Sequence, residues 1–177
     1  MSDIVLEQVD PNNLEQANEF VSWYKNPLMV KNWVLQKEEN EPVKFEVEDF
    51  QKQFSENTYS DEKHVFMIKV SGKYIGYGQF YINHPVAMTK EGRVCWPSIA
   101  VGDDNFRGKG FGLAICKEVY NKAKELNCTH IEAGVFEFND KMKGILTSNG
   151  FIMIGKQENK TYVDGRWWSS EHYLLEL

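Results

Sequence analysis

Arg107-Gly108-Lys109-Gly110-Phe111-Gly112 sits between an apolar run, Arg93 to Val101, and a long amphipathic run that begins at about Gly110. The stretch reads as a cradle for a pyrophosphate. Glycines let backbone N–H groups approach phosphate oxygens without a Cβ in the way, and they tolerate positive φ. A helix starting at Gly110 aims its unpaired N–H groups and positive dipole end at the same anion. Leu113, Cys116, Val119, Tyr120, Ala123 and Leu126 recur at helical spacing downstream and predict the apolar face of that helix. A dinucleotide-binding fold places its glycine loop in a βαβ unit near its start, whereas this one opens past the middle of the chain. The chain also contains no G-x-x-x-x-G-K-[ST], which excludes a P-loop.

Upstream, Ile4 to Val9 alternates as a strand, and Asn12 to Lys25 carries Leu14, Ala17, Phe20, Val21 and Tyr24 at helical spacing before the stop Asn26-Pro27. Short helices are predicted over Leu28 to Val34 and Phe45 to Phe54, with an exposed loop over Gln36 to Pro42. His64 to Val70 and Tyr74 to Asn83 flank Ser71-Gly72-Lys73 as a hairpin. The next strand, Arg93 to Val101, contains Pro97, which cannot donate to a ladder. Pro97 marks either a bulge or local loss of pairing, or else the start of a shorter strand, Ser98 to Val101. Downstream, His130 to Phe138 points Ile131, Ala133 and Val135 inward, and Asn139-Asp140 caps a helix ending at Asn149-Gly150. A closing hairpin runs from Phe151 to Ile154, and on toward Asn159, then turns at Val163-Asp164-Gly165 into Arg166 to Leu177.

The 177 residues, 42% hydrophobic and 26% charged, predict one domain over residues 1–177. A net charge of −6 leaves no electrostatic footprint for nucleic acid or an anionic membrane and suits a cationic substrate better. Cys95, Cys116 and Cys128 are odd in number without CxxC spacing, so they are expected as buried thiols in a reducing compartment. His64, His84, His130 and His172 lack metal-ligand spacing, and no metal is expected. Without a leader-like N-terminus or a long apolar run, the expected location is the cytoplasm. The aromatic C-terminal strand suits a monomer with a covered edge or a homodimer paired across it.

Arg107, Gly110 and Gly112 fit [Q/R]-x-x-G-x-[G/A], and Asn139 with Gly150-Phe151 follows at the matching distance. In these residues, and in the order of elements over nearly the whole chain, the sequence resembles the GCN5-related N-acetyltransferase (GNAT) superfamily. The branches it is most similar to are the ribosomal-protein and spermidine N-acetyltransferases and the aminoglycoside 6′-N-acetyltransferases. The resemblance implies an α+β, α/β/α layered fold, with a mixed sheet of about six or seven strands splayed at a bulge and about four or five flanking helices. It also implies direct acetyl transfer from acetyl-CoA to a primary amine in a ternary complex. N–H groups from Phe106 through Arg107, Gly108, Lys109, Gly110 and Phe111 to Gly112 would hold the pyrophosphate, with Arg107 and Lys109 adding charge. Backbone groups of Ile99, Ala100 and Val101 would pair with the pantetheine amides, and Asn139 would touch that arm.

The chain departs from the family where proton transfer is usually assigned. A Tyr or a Ser expected after the Asn is replaced by Leu146 and Met142, and an Asp on the cofactor strand aligns with Ser98. Proximity and ordered water suffice in principle; Ser98 or Thr147 could otherwise relay a proton, and Ser98 is the candidate catalytic group. Glu46, Glu48, Asp49, Glu56, Asp61 and Glu62 are expected near the acceptor cleft, and Trp33, Trp96, Trp167 and Trp168 are candidates for its lining. The first expectation is an acceptor that is a small amino-containing molecule, aminoglycoside- or polyamine-like. The alternatives are a protein N-terminus, or a non-catalytic acetyl-CoA-binding module.

Overall fold

The computed structural model describes residues 4–38, 44–55 and 60–177. Its elements run β1 (Ile4–Gln8), α1 (Leu14–Tyr24), α2 (Pro27–Trp33), α3 (Val47–Phe54), β2 (Lys63–Val70), β3 (Lys73–Ile82), β4 (Val94–Val101), a 3₁₀ turn (Asp104–Phe106), α4 (Phe111–Glu125), β5 (His130–Phe136), α5 (Asp140–Ser148), β6 (Ile152–Val163) and β7 (Arg166–Glu176). Asn13 and Asn26 cap α1 and α2 by accepting N–H bonds from the first turn, as their positions before the apolar runs require. The loop predicted over Gln36 to Pro42 lies partly outside the described residues, and Glu56 lies wholly outside them.

One mixed sheet has the strand order β1-β2-β3-β4-β5-β7-β6. Both expected hairpins close on tight turns, Ser71-Gly72 and Asp164-Gly165, with all four residues at positive φ. The helices cover both faces. Ile115, Val119 and Ala123 of α4 and Leu146 of α5 pack on Ile131, Ala133 and Val135. On the other face, α1 and α3 bring Phe20, Phe50 and Phe54 against Tyr77 of β3, with ring centroids of Phe20 and Tyr77 4.9 Å apart.

The apolar stripe of α4 differs from the periodicity reading. Ile115 is fully buried while Leu113 is 39% exposed, because the face on the sheet follows Ile115–Val119–Ala123 at four-residue steps and turns Leu113 to a cavity at the side. The closing hairpin is also longer than expected, since β6 continues past Asn159 to Val163.

Pro97 lies within β4, so the reading in which a strand only starts at Ser98 is corrected. Against β3 the register is constant from Cys95↔Ile82 to Val101↔Gly76. Against β5 only Val94↔His130 and Cys95↔Ile131 pair, after which the two parallel strands part. The splay is therefore a loss of pairing on the β5 side, beginning at Trp96, one residue before the proline. A residue without an N–H fits an edge that no longer needs one.

Candidate active site

The splay opens a cavity of about 1190 Å³ that reaches both faces of the sheet. On the α4–α5 face its wall includes Gly112, Leu113, Cys116, Ile145 and Leu146, and on the α1–α3 face Trp33, Gln79, Trp96, Gly134 and Ser170. Side chains alternate across β4. Ile99 and Val101 join the α4 core, whereas Trp96 and Ser98 lie opposite Tyr81 and Gln79 and look the other way.

The glycine loop forms one end. Gly108 and Gly110 stand at φ 72° and 85°, and Gly110 caps α4 from the left-handed region, leaving no side chain over the first helical N–H groups. Phe106, Arg107, Gly108, Gly110 and Gly112 line the cavity, as do Ile99, Ala100, Val101 and Asn139. Two predicted members of the loop do not line it. Lys109 is exposed, and Phe111 turns edge-on to Phe106, centroids 5.2 Å apart. Arg107 is tied to the protein: Nε donates to the Val101 carbonyl at 3.0 Å and Nη1 pairs with Asp104 at 2.9 Å, leaving other donors of its five free. Asn139 caps α5, its Oδ1 accepting from the Met142 N–H at 3.3 Å, with no partner for its NH₂ group among the described residues. A loop of N–H groups heading a helix, beside a strand edge released from its neighbour, fits a pyrophosphate joined to an amide-containing arm.

Ser98 projects into the other half. Its Oγ accepts the Trp33 indole N–H at 3.1 Å, which leaves its hydroxyl proton to donate. Leu146 and Met142 present apolar side chains to the wall and have no proton to donate. Cys116 lines the wall as well, and burial pushes its thiol up to about 11, away from reactivity. Among the described residues no cluster of His, Cys, Asp and Glu is arranged to hold a metal ion, and no helix is long and apolar enough to cross a membrane.

The acceptor-side expectations change most. Trp33 and Trp96 line the cavity, but Trp167 is 46% exposed and Trp168 packs between Phe138 and Arg166, its N–H on the Val163 carbonyl at 3.0 Å. None of Glu46, Glu48, Asp49, Asp61 and Glu62 reaches the wall. Glu46 and Asp49 instead form the capping box of α3.

Several groups at this end carried no signal in the sequence reading. His84 stacks on Trp96, centroids 5.8 Å apart, and its Nδ1 accepts from the Val86 N–H at 3.2 Å. Burial and then Lys90 lower its pKa, so the ring is neutral with its proton on Nε2. Behind Trp96 lies a buried pair, His172 Nδ1 and Glu132 Oε1, 2.7 Å apart. The same carboxylate accepts the Met88 and Thr89 N–H groups at 2.8 Å each, strapping residues 84–92 across the sheet. Burial works against the charge of Glu132, but the bonds from His172, Met88 and Thr89 outweigh it and hold the carboxyl below its ordinary range. A polar residue in mid-strand, between inward-facing Ile131 and Ala133, was the available clue.

The sequence profile of the acetyltransferase (GNAT) family matches residues 28–151. The chain belongs to that family. It is an N-acetyltransferase by family membership, and its fold is the family's. Solved structures agree on the fold at low identity. Spermidine N-acetyltransferase from Vibrio cholerae, in complex with CoA and spermine, superposes with a TM-score of 0.76 at 14% identity, covering 98% of this chain and 95% of that one. A ribosomal alpha-N-protein acetyltransferase in complex with coenzyme A gives 0.76 at 12%, covering 100% and 96%. Ribosomal-protein-alanine N-acetyltransferase from Brucella melitensis gives 0.71 at 20%, covering 98% and 99%. No curated protein sequence matches the chain.

Proposed function

We propose that this GNAT enzyme transfers an acetyl group from acetyl-CoA to the primary amine of a small molecule, the two reactants meeting in the splay between β4 and β5. The observation that carries this reading is one cavity running from the glycine loop on the α4 side to a chamber under α2 on the other face. Coenzymes and acceptors approaching from opposite faces can form a ternary complex without a covalent enzyme intermediate. A small acceptor is favoured over a protein N-terminus because α2, the strap 84–92 and the β6–β7 ladder all contribute to the chamber wall.

Acetyl-CoA supplies the activated acyl group and a thiolate leaving group. The N–H groups from Phe106 to Gly112 neutralise the pyrophosphate, with Arg107 beside them. The β5-facing edge of Ile99, Ala100 and Val101 takes up the amide arm as an added strand, and the Asn139 NH₂ group donates to it. Ser98, its oxygen fixed by Trp33, donates a hydrogen bond where sulfur charge develops. No carboxylate on the wall is a ready base, since Asp140 is paired with Lys143 at 3.0 Å. The amine loses its proton to water, and alignment of the two reactants supplies on the order of 7 kcal/mol or more.

Thiol release from acetyl-CoA across a panel of small amines and N-terminal peptides tests the reading. Turnover confined to small amines supports it. Turnover on peptides alone moves the acceptor to a protein N-terminus, and tight CoA binding without turnover marks a binding module.

A further inference from the structure

The charges on the cavity wall are unevenly matched. Among the described residues five charged side chains line it: Lys31, Arg107, Asp140, Lys141 and Lys160. Arg107, Asp140 and Lys141 belong to the glycine loop and the start of α5, the end assigned to the coenzyme. Lys31 and Lys160 belong to the chamber. Lys31 is already paired with Asp164 at 2.5 Å. Lys160 is half-buried and has no ion pair or hydrogen bond among the described residues.

The backbone puts Lys160 there by an irregularity. Gln157 pairs with Ser170 and Thr161 with Trp168, so three residues of β6 stand opposite one of β7, with Asn159 at φ 52°. Extra residues in one strand re-aim side chains, and here they bring Lys160 to the wall alongside Gln157 and Ser170. Two carboxylates off the wall are committed elsewhere: Asp164 to Lys31, and Glu132 to His172, Met88 and Thr89. Neutral His84 adds an Nε2–H donor on the same wall. A half-buried lysine with no ion-pair partner among the described residues, accompanied by donors, is complementary to an anion and repels a polycation.

Building on the transferase reading above, we propose that the acceptor is a primary amine that also bears an anionic group of the carboxylate kind, held by Lys160. The amine end lies at the splay, where Ser98 and the thioester meet, and the acid end lies under the β6 irregularity. This departs from the polyamine-like and aminoglycoside-like expectation, for which Glu46, Glu48, Asp49, Asp61 and Glu62 supply no carboxylate on the wall.

The test uses acetyl-CoA with matched sets of an amino acid, its amide and its decarboxylated amine, built on phenylalanine, methionine and leucine, with spermidine as the polycation. In the wild type, kcat/KM for the acid is expected at least about tenfold above that for its amide and amine, a difference that one charge-assisted contact can supply. Lys160→Met is expected to raise KM for the acid about tenfold, and for the amide less than twofold. Lys160→Glu reverses the ranking. Unchanged thermal midpoint and acetyl-CoA affinity in both variants exclude a folding effect. Equal or better turnover of the amine or spermidine by the wild type, or an unmoved KM for the acid in Lys160→Met, overturns the anionic-acceptor assignment while leaving the transferase reading intact. No transfer to any member, with acetyl-CoA still bound, counts against the transferase reading and removes the inference with it.

Discussion

The glycine loop and the chamber under α2 close the same cavity. One is a contiguous run of six residues, Arg107 to Gly112, whereas the other draws Trp33, Gln79, Trp96, Gly134, Gln157 and Ser170 from six separate elements. The loop works through backbone: N–H groups, positive φ and a helix terminus, none of which depends on distant residues. The chamber works through side chains whose meeting depends on strand register. Damage to the loop should therefore be local and severe. Damage to the chamber should pass through packing and stability before it reaches chemistry.

Gly110→Asp breaks the first half of that contrast most directly. A side chain at φ 85° is strained, and although no protein atom lies within 4 Å of the added Cβ, the new carboxylate would occupy the proposed pyrophosphate site. Acetyl-CoA affinity by calorimetry should fall a hundredfold or more, with folding retained. Unchanged affinity would remove the loop from the coenzyme site.

Glu132→Ala probes the second half. It leaves the fully buried His172 and the half-buried Met88 and Thr89 N–H groups without their common acceptor. The cost should be about 3 kcal/mol or more in urea unfolding, with faster amide exchange at Met88 and Thr89. The pH dependence has a definite sign. Glu132 is held below its ordinary value of 4.5, so its contribution is complete above that value and is lost as pH falls through the lowered one. Glu132→Gln should flatten this acid limb. An equally steep loss in that variant would mean the carboxylate is not what the strap rests on.

This contrast explains how far the sequence could be read. Glycines between a strand and a helix, an Asn cap before α5 and a Pro in β4 act within a few residues of themselves, so the fold and the local backbone of the proposed coenzyme end were legible. The acidic residues near α3 were not, because a carboxylate near a cleft in sequence can as well complete a helix cap, which is what Glu46 and Asp49 do. Trp96 and Trp168 look alike in sequence. Only register decides that one faces the cavity while the other stacks under Arg166. Lys160 depends on a mismatch between two strands that no residue announces.

Gly134→Ala tests whether the chamber is as tightly packed as that account requires. A Cβ there would lie 2.9 Å from Trp96 Cη2 and 3.1 Å from Ser170 Oγ, so the indole must move. Overpacking of this kind costs about 1–3 kcal/mol. Because Trp96 is a wall of the chamber, acceptor KM should rise several-fold while acetyl-CoA affinity stays put. Equal loss at both ends would show that the two halves are mechanically one.

Ser98→Ala is expected to do least, although Ser98 stands where the halves join. Its oxygen is the acceptor for Trp33, so the variant strands one indole N–H in a half-buried place and costs about 1 kcal/mol of stability. If alignment and water carry the reaction, kcat falls less than about tenfold, because only one donor toward the developing sulfur charge is lost. Ser98→Thr separates the two roles, since it keeps a hydroxyl but crowds Trp33. A loss above about a hundredfold in Ser98→Ala, with Ser98→Thr near wild type, would make this hydroxyl the proton-transfer group that Leu146 and Met142 cannot be.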